Sequence, residues 1–138
     1  MIVVDTSALI AITFGEESAP DLRNRMLLEQ ERKISAASVV EFGAVYAGRW
    51  KRDSSLVADR VLATLQTMGL EIVSVDEMQA RIALEARVRF GKGFGAKARL
   101  NFGDSFAYAL AKSLDAPLLF VGDDFTHTDI APALARTG

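Results

Sequence analysis

The chain has 138 residues, half of them hydrophobic and a quarter charged, with a net charge of −2 and no cysteine. That length buries about two thirds of the unfolded surface in one core, so a single domain over 1–138 is expected. Disulfides, thiolate metal sites and Cys nucleophiles are excluded, a reducing cytoplasm is the natural setting, and any nucleic-acid contact must come from a local patch.

No apolar run approaches the roughly 20 residues that span a bilayer, and "MIVVDTSALIAI" lacks the basic start of a signal peptide. Residues 2–4, "IVV", read as a buried strand ending at Asp5. "TSALIAITF" then takes helical spacing, with Ser7 as the expected N-cap and Gly15 as the stop. Pro20 opens a second helix running to about Glu31, with Leu22, Met26 and Leu27 on one face. A short strand near "KISA" leads into a helix whose apolar face holds Val39, Phe42, Val45 and Tyr46. Another helix spans Ser54 to Met68, followed by the strand "LEIVSV". Asp76 and Gln79 form a capping-box pattern for a helix that ends near Phe90. The segment "GKGFGAKARLNFG" reads as an irregular loop, followed by a helix from Gly103 to Leu114 and the strand "APLLFV". Short apolar strands alternating with helices predict an α/β fold, with a mainly parallel sheet covered on both faces.

In such sheets ligands sit outside the carboxyl ends of the strands. Four acids from different elements fall there. Asp5 follows the first strand, and Glu41 is expected in the first turn of the helix after the second. Asp104 opens the helix before the last strand, and Asp123 follows that strand with Asp124 beside it. Each also has a purely structural reading. Ser38 with Glu41 fits a capping box, Asp104 suits a helix N-terminus, and Asp123 suits an Asp-rich turn. Asp5 is harder to dismiss, because no Lys or Arg lies within ten residues of it and burial of a lone carboxylate is costly. Acids crowded at one sheet edge would raise each other's pKa, and a hard cation relieves that cost. An all-oxygen set without His or Cys suits Mg²⁺ or Mn²⁺.

"MIVVDTSALIAI", "SAASVVEFG" and "NFGDSFAYALAKSLDAPLLFVGDDFTHTDI" resemble the PIN-domain ribonucleases, and among them the VapC-type toxins of bacterial toxin–antitoxin pairs. The resemblance runs nearly end to end and keeps the order of the acidic motifs. It implies a three-layer α/β/α sandwich and a Mg²⁺- or Mn²⁺-dependent endoribonuclease acting on structured RNA. It also implies a homodimer and inhibition by a small VapB-type antitoxin. By the match of motifs, Asp5, Glu41, Asp104 and Asp123 would be the catalytic, metal-holding acids. Asp124 and Asp129 lie near enough to take the place of Asp123, and Ser7 would support Asp5 by hydrogen bonding.

From Arg87 to Arg99 there are five basic residues (Arg87, Arg89, Lys92, Lys97, Arg99), interleaved with Phe90 and Phe94 and free of acids. They lead into Asp104 and are candidates for holding RNA phosphates; a solvated loop or an antitoxin contact is the other reading. Arg49, Lys51 and Arg52 at a helix end are accounted for by the helix dipole. A rival function rests on "GDS" at 103–105 and "DDFTH" at 123–127. These allow one Ser–His–Asp triad, Ser105, His127 and Asp124, in the manner of GDSL-type esterases. That reading leaves Asp5 and Glu41 unexplained. A catalytically silent PIN-like binding module is the second alternative.

Overall fold

The computed structural model describes residues 1–50, 53–93 and 97–135. Lys51 and Arg52 of the second basic group, and Phe94 of the first, lie outside the described residues.

Among the described residues four parallel strands run in the order β3-β2-β1-β4. They are β1 (Ile2–Val4), β2 (Arg32–Ser35), β3 (Leu70–Val73) and β4 (Leu118–Leu119). The helices connecting them are α1 (Thr6–Thr13), α2 (Ala19–Leu27), α3 (Ala36–Trp50), α4 (Ser54–Thr67), α5 (Glu77–Phe90) and α6 (Phe102–Leu114). Strand side chains alternate between faces, so β1 feeds two cores. Ile2 and Val4 join Ile34 and Leu119 under α1, α2, α3 and α4, with Leu9, Met26, Phe42 and Leu65 as large buried members. Val3 joins Leu118 on the other face, under α5 and α6, with Phe90, Tyr108 and Leu110. The result is the expected α/β/α sandwich, its sheet wholly parallel.

Several local expectations are corrected. Ser7 lies inside α1, and the N-cap is Asp5, whose carboxylate accepts from the Ser7 backbone N–H. Ser38 likewise lies inside α3, which begins at Ala36; the Ser35 hydroxyl accepts from the Ala37 N–H, so Glu41 sits in the second turn rather than the first. Asp76 does accept from the Gln79 N–H, but the Gln79 amide turns away to the Ser74 carbonyl, leaving the box half made. Helix α2 stops at Leu27, short of Glu31, as the N–H of Leu28 bends back to the Arg25 carbonyl. The last strand keeps only two of the six residues in "APLLFV", because beyond Leu119 the Val121 N–H is taken by the Ser7 hydroxyl. The Gly-rich loop is partly ordered by reciprocal bonds: Leu100 N–H donates to Phe90 O and Lys92 N–H to Leu100 O.

Candidate active site

Strand β1 ends at the carboxyl edge of the sheet, and its next residue caps the following helix. Asp5 is therefore buried, 2% exposed, by the fold itself. Its Oδ2 accepts from the Ser7 N–H at 3.0 Å and the Ser7 hydroxyl at 2.6 Å. That hydroxyl in turn accepts from the Val121 N–H at 3.0 Å, tying the start of α1 to the loop after β4. Asp5 Oδ1 is buried and has no hydrogen-bond partner. Burial pushes Asp5 up to about 6; the Ser7 hydrogen bonds work against the rise and Glu41 adds to it.

Asp104 is the third residue of α6, not its opening residue, and it belongs to a complete capping box. Asn101 Oδ1 accepts from the Asp104 N–H at 2.8 Å, and Asp104 Oδ2 accepts from the Asn101 N–H at 3.0 Å. Burial pushes this carboxyl up to about 8; the Asn101 N–H lowers it, and Asp5 and Asp124 raise it further. The neighbouring acids raise each other's pKa as expected, and burial adds a larger rise at both Asp5 and Asp104.

Glu41 reaches the site from α3, itself tied to α1 where the Thr6 hydroxyl donates to the Ser38 carbonyl at 3.2 Å. Its carboxylate lies against Gly103 so closely that a Cβ there would stand 1.8 Å from Glu41 Oε2. Asn101 and Gly103 were not singled out from the sequence. The N-x-x-D spacing in "NFGD" carried the capping signal for Asn101, whereas no local pattern marks the Glu41 contact.

The three acids after β4 diverge. Asp124 acts on Asp104. Asp123 lines a cavity with residues of α2. Asp129 accepts from the Tyr108 hydroxyl at 2.5 Å and pairs with Lys112 at 3.1 Å and Arg89 at 3.8 Å. Asp5, Glu41, Asp104 and Asp124 thus form one chain of interacting carboxylates. No three His, Asp or Glu side chains among the described residues close into a ready cage. The donor set nonetheless fits a hard cation: an orphaned buried oxygen on Asp5, two carboxyls whose ionised forms burial disfavours and a bound positive charge would restore, and only oxygen ligands. Mg²⁺ keeps several waters and takes one or two carboxylates directly, so a full protein cage is not required.

Of the basic group, Arg87 donates to the Leu100 carbonyl and helps close the loop. Arg89 stacks on the Phe90 ring, 4.6 Å from its centroid, and reaches Asp129. Lys92, Lys97 and Arg99 are exposed on the loop that leads to α6. The esterase triad is not assembled. Ser105 is 1% exposed and its hydroxyl donates to the Phe102 carbonyl at 2.6 Å, while His127 is exposed and hydrogen-bonded to neither Ser105 nor Asp124.

A wholly parallel sheet with acids gathered at its carboxyl edge defines the class, and the PIN domain profile matches residues 2–131: the chain belongs to the PIN domain family. Within it, the chain is similar to VapC proteins. It is 44% identical over 131 residues to ribonuclease VapC42 of Mycobacterium tuberculosis, covering 95% of this chain and 98% of that one. It is 39% identical over 134 residues to ribonuclease VapC28 of the same organism, covering 97% and 98%. Among solved structures, M. tuberculosis VapC20, described as a sarcin–ricin loop cleaving toxin, superposes with a TM-score of 0.71 at 16% identity, covering 96% of this chain and all of that one. VapBC2 of Rickettsia felis, bound to a promoter DNA fragment, superposes with a TM-score of 0.68 at 16% identity, covering 96% of each chain. No helix among the described residues is long and apolar enough to cross a membrane.

Proposed function

We propose that this protein is the toxin of a type II toxin–antitoxin pair, an endoribonuclease that hydrolyses RNA phosphodiester bonds with Mg²⁺ or Mn²⁺ in the cytoplasm. Full-length similarity to VapC ribonucleases supports the activity, and the partner follows from the toxin–antitoxin complexes among the structural neighbours. A VapB-type antitoxin and a homodimer are the matching assemblies.

The observation that carries the mechanism is the Asp5–Asp104 pair: two buried carboxyls with pKa values raised to about 6 and about 8, one with an orphaned oxygen. Asp5 and Asp104 would hold the cation, with Glu41 and Asp124 joining directly or through water. Of the three acids after β4, Asp124 is the assignment supported by its action on Asp104. A bound Mg²⁺ or Mn²⁺ supplies positive charge to the scissile phosphate and makes a water acidic enough to attack. The chain's own part is to fix and tune the acids. Ser7 orients Asp5 through two hydrogen bonds, leaving Oδ1 for the ion, and Asn101 fixes Oδ2 of Asp104, leaving its other oxygen outside the capping box. Glu41, only partly buried, is placed to accept the proton of an attacking water. Lys92, Lys97 and Arg99 would take backbone phosphates.

The test is incubation of purified protein with total RNA, with Mg²⁺, with Mn²⁺ and with chelator, alongside Asp5→Ala and Asp104→Ala. Cation-dependent cleavage lost in both variants is expected; cleavage indifferent to chelator would refute the metal mechanism.

A further inference from the structure

A cavity of about 570 Å³ opens between α2 and the segment after β4, within the roughly 300–1,000 Å³ usual for ligand pockets. Its walls are apolar at Leu22, Leu28, Phe120 and Leu134, and Asp21, Asn24 and Asp123 also line it. Arg25 also reaches the lining, but its guanidinium is committed: Nε donates to the Ala133 carbonyl at 2.8 Å and Nη1 pairs with Glu29 at 3.0 Å. The cavity therefore offers apolar surface and hydrogen-bond acceptors, and it repels anions.

One short loop separates the cavity from the acid site. Val121 lines the cavity, yet its N–H donates to Ser7, which holds Asp5. Asp123 lines the cavity, and the next residue, Asp124, acts on Asp104. Residues 121–124 thus have the cavity on one flank and the carboxylates on the other.

We propose that this cavity is a nucleobase pocket that takes an unpaired guanine adjoining the cleaved bond; the proposal rests on the ribonuclease reading above. Single-stranded RNA is read by stacking bases on aromatic rings and hydrogen-bonding their pairing edges. Phe120 is half-buried and braced against Phe125 with ring centroids 5.0 Å apart, which suits it as a wall for a flat base. Guanine alone presents two adjacent donors, N1–H and the N2 amino group, to a facing carboxylate. Adenine and cytosine place an acceptor nitrogen beside their amino group, and uracil flanks its one N–H with two carbonyls, so a carboxylate repels part of each edge. The base enters the acidic cavity as a neutral donor, and its phosphate remains outside, on the side of the cation and the basic loop.

The test is NMR titration of the metal-free, ¹⁵N-labelled protein with guanosine, inosine, adenosine, cytidine and uridine 5′-monophosphates, and with N-acetylarginine amide as a cationic control. Guanosine monophosphate should shift the amides of Asn24, Val121 and Gly122. Inosine monophosphate, which lacks the N2 amino group, should bind about five- to tenfold more weakly, and the other nucleotides more weakly still. Asp21→Asn, an exposed substitution on α2, should weaken guanosine monophosphate about tenfold with the amide spectrum otherwise retained. Equal response to all nucleotides, no response to guanosine monophosphate, or a response to the arginine amide alone would overturn the proposal. The titration reads binding without turnover, so it stands or falls separately from the cleavage assay.

Discussion

Asp104→Asn isolates the buried charge with little change of shape. The Asn side-chain oxygen can still accept from the Asn101 N–H, and its amide is as neutral as a protonated carboxyl beside Asp124. Asp104 has its pKa raised from 3.8 to about 8 in the fold, so across that interval the native state holds the proton more tightly than the unfolded chain. Unfolding free energy then falls as pH rises through the interval, by up to about 1.4 kcal/mol per pH unit for one group. Taken whole, the interval would amount to about 6 kcal/mol; solvent screening at the site mouth and charge shared with Asp5 reduce this to about 2 kcal/mol. For a chain of this size that is roughly 7 °C in Tm. Calorimetry in chelator from about pH 4.5 to about pH 8.5 should show Asp104→Asn gaining on the wild type as pH rises, with the gap closing at the acid end. Mg²⁺ or Mn²⁺ should raise the wild-type Tm near pH 8 and leave the variant little changed. A variant less stable than wild type by the same amount at every pH would show that the buried charge of Asp104 is not what costs stability.

Gly103→Ala should leave Tm within about 3 °C of wild type, since the atoms nearest the added methyl are the flexible end of Glu41 and Ala favours the helix. Displacing that carboxylate should weaken Mn²⁺ binding about tenfold by isothermal titration; unchanged affinity would remove Glu41 from the site. Tyr108→Phe deletes the hydrogen bond to Asp129, and Lys112 and Arg89 keep that carboxylate paired. Burial works to raise Asp129, but Tyr108 and Lys112 outweigh it and lower its pKa, so this stability exists above the ordinary Asp range and is lost on acidification. Urea denaturation should show a loss of about 1–2 kcal/mol near neutrality and a smaller loss near pH 3; an equal loss at both would assign the effect to packing.

The fold was legible where local signals agreed. The "IVV" strand is fully buried as its composition requires, and Gly15 ends α1 with φ at +66°, a backbone setting glycine adopts without a Cβ penalty. Helix boundaries were less legible where two capping residues competed: Asp5 took the cap from Ser7, and Ser35 took it from Ser38. In both cases the strand's end, fixed by pairing, decided. Asp5 stood out in the sequence because an unpaired carboxylate after an apolar strand needs a reason. The sequence left the choice among Asp123, Asp124 and Asp129 open, because the three share one turn-rich segment. Only tertiary contacts separate them: Asp129 is drawn to Tyr108 across a gap of 21 residues, and Asp124 faces Asp104. The contact of Glu41 with Gly103 joins α3 to α6 and has no local signature.

A cation held by these carboxylates would let water, rather than the RNA's own 2′-hydroxyl, cut the strand. The most direct measurement is the chemistry of the cut ends, mapped on RNA cleaved in Mg²⁺ or Mn²⁺ and on the same substrate with a 2′-deoxy sugar at the scissile position. The ends should be free of 2′,3′-cyclic phosphate, and the deoxy substrate should still be cut. Cyclic phosphate ends, with the deoxy substrate left intact, would contradict attack by water.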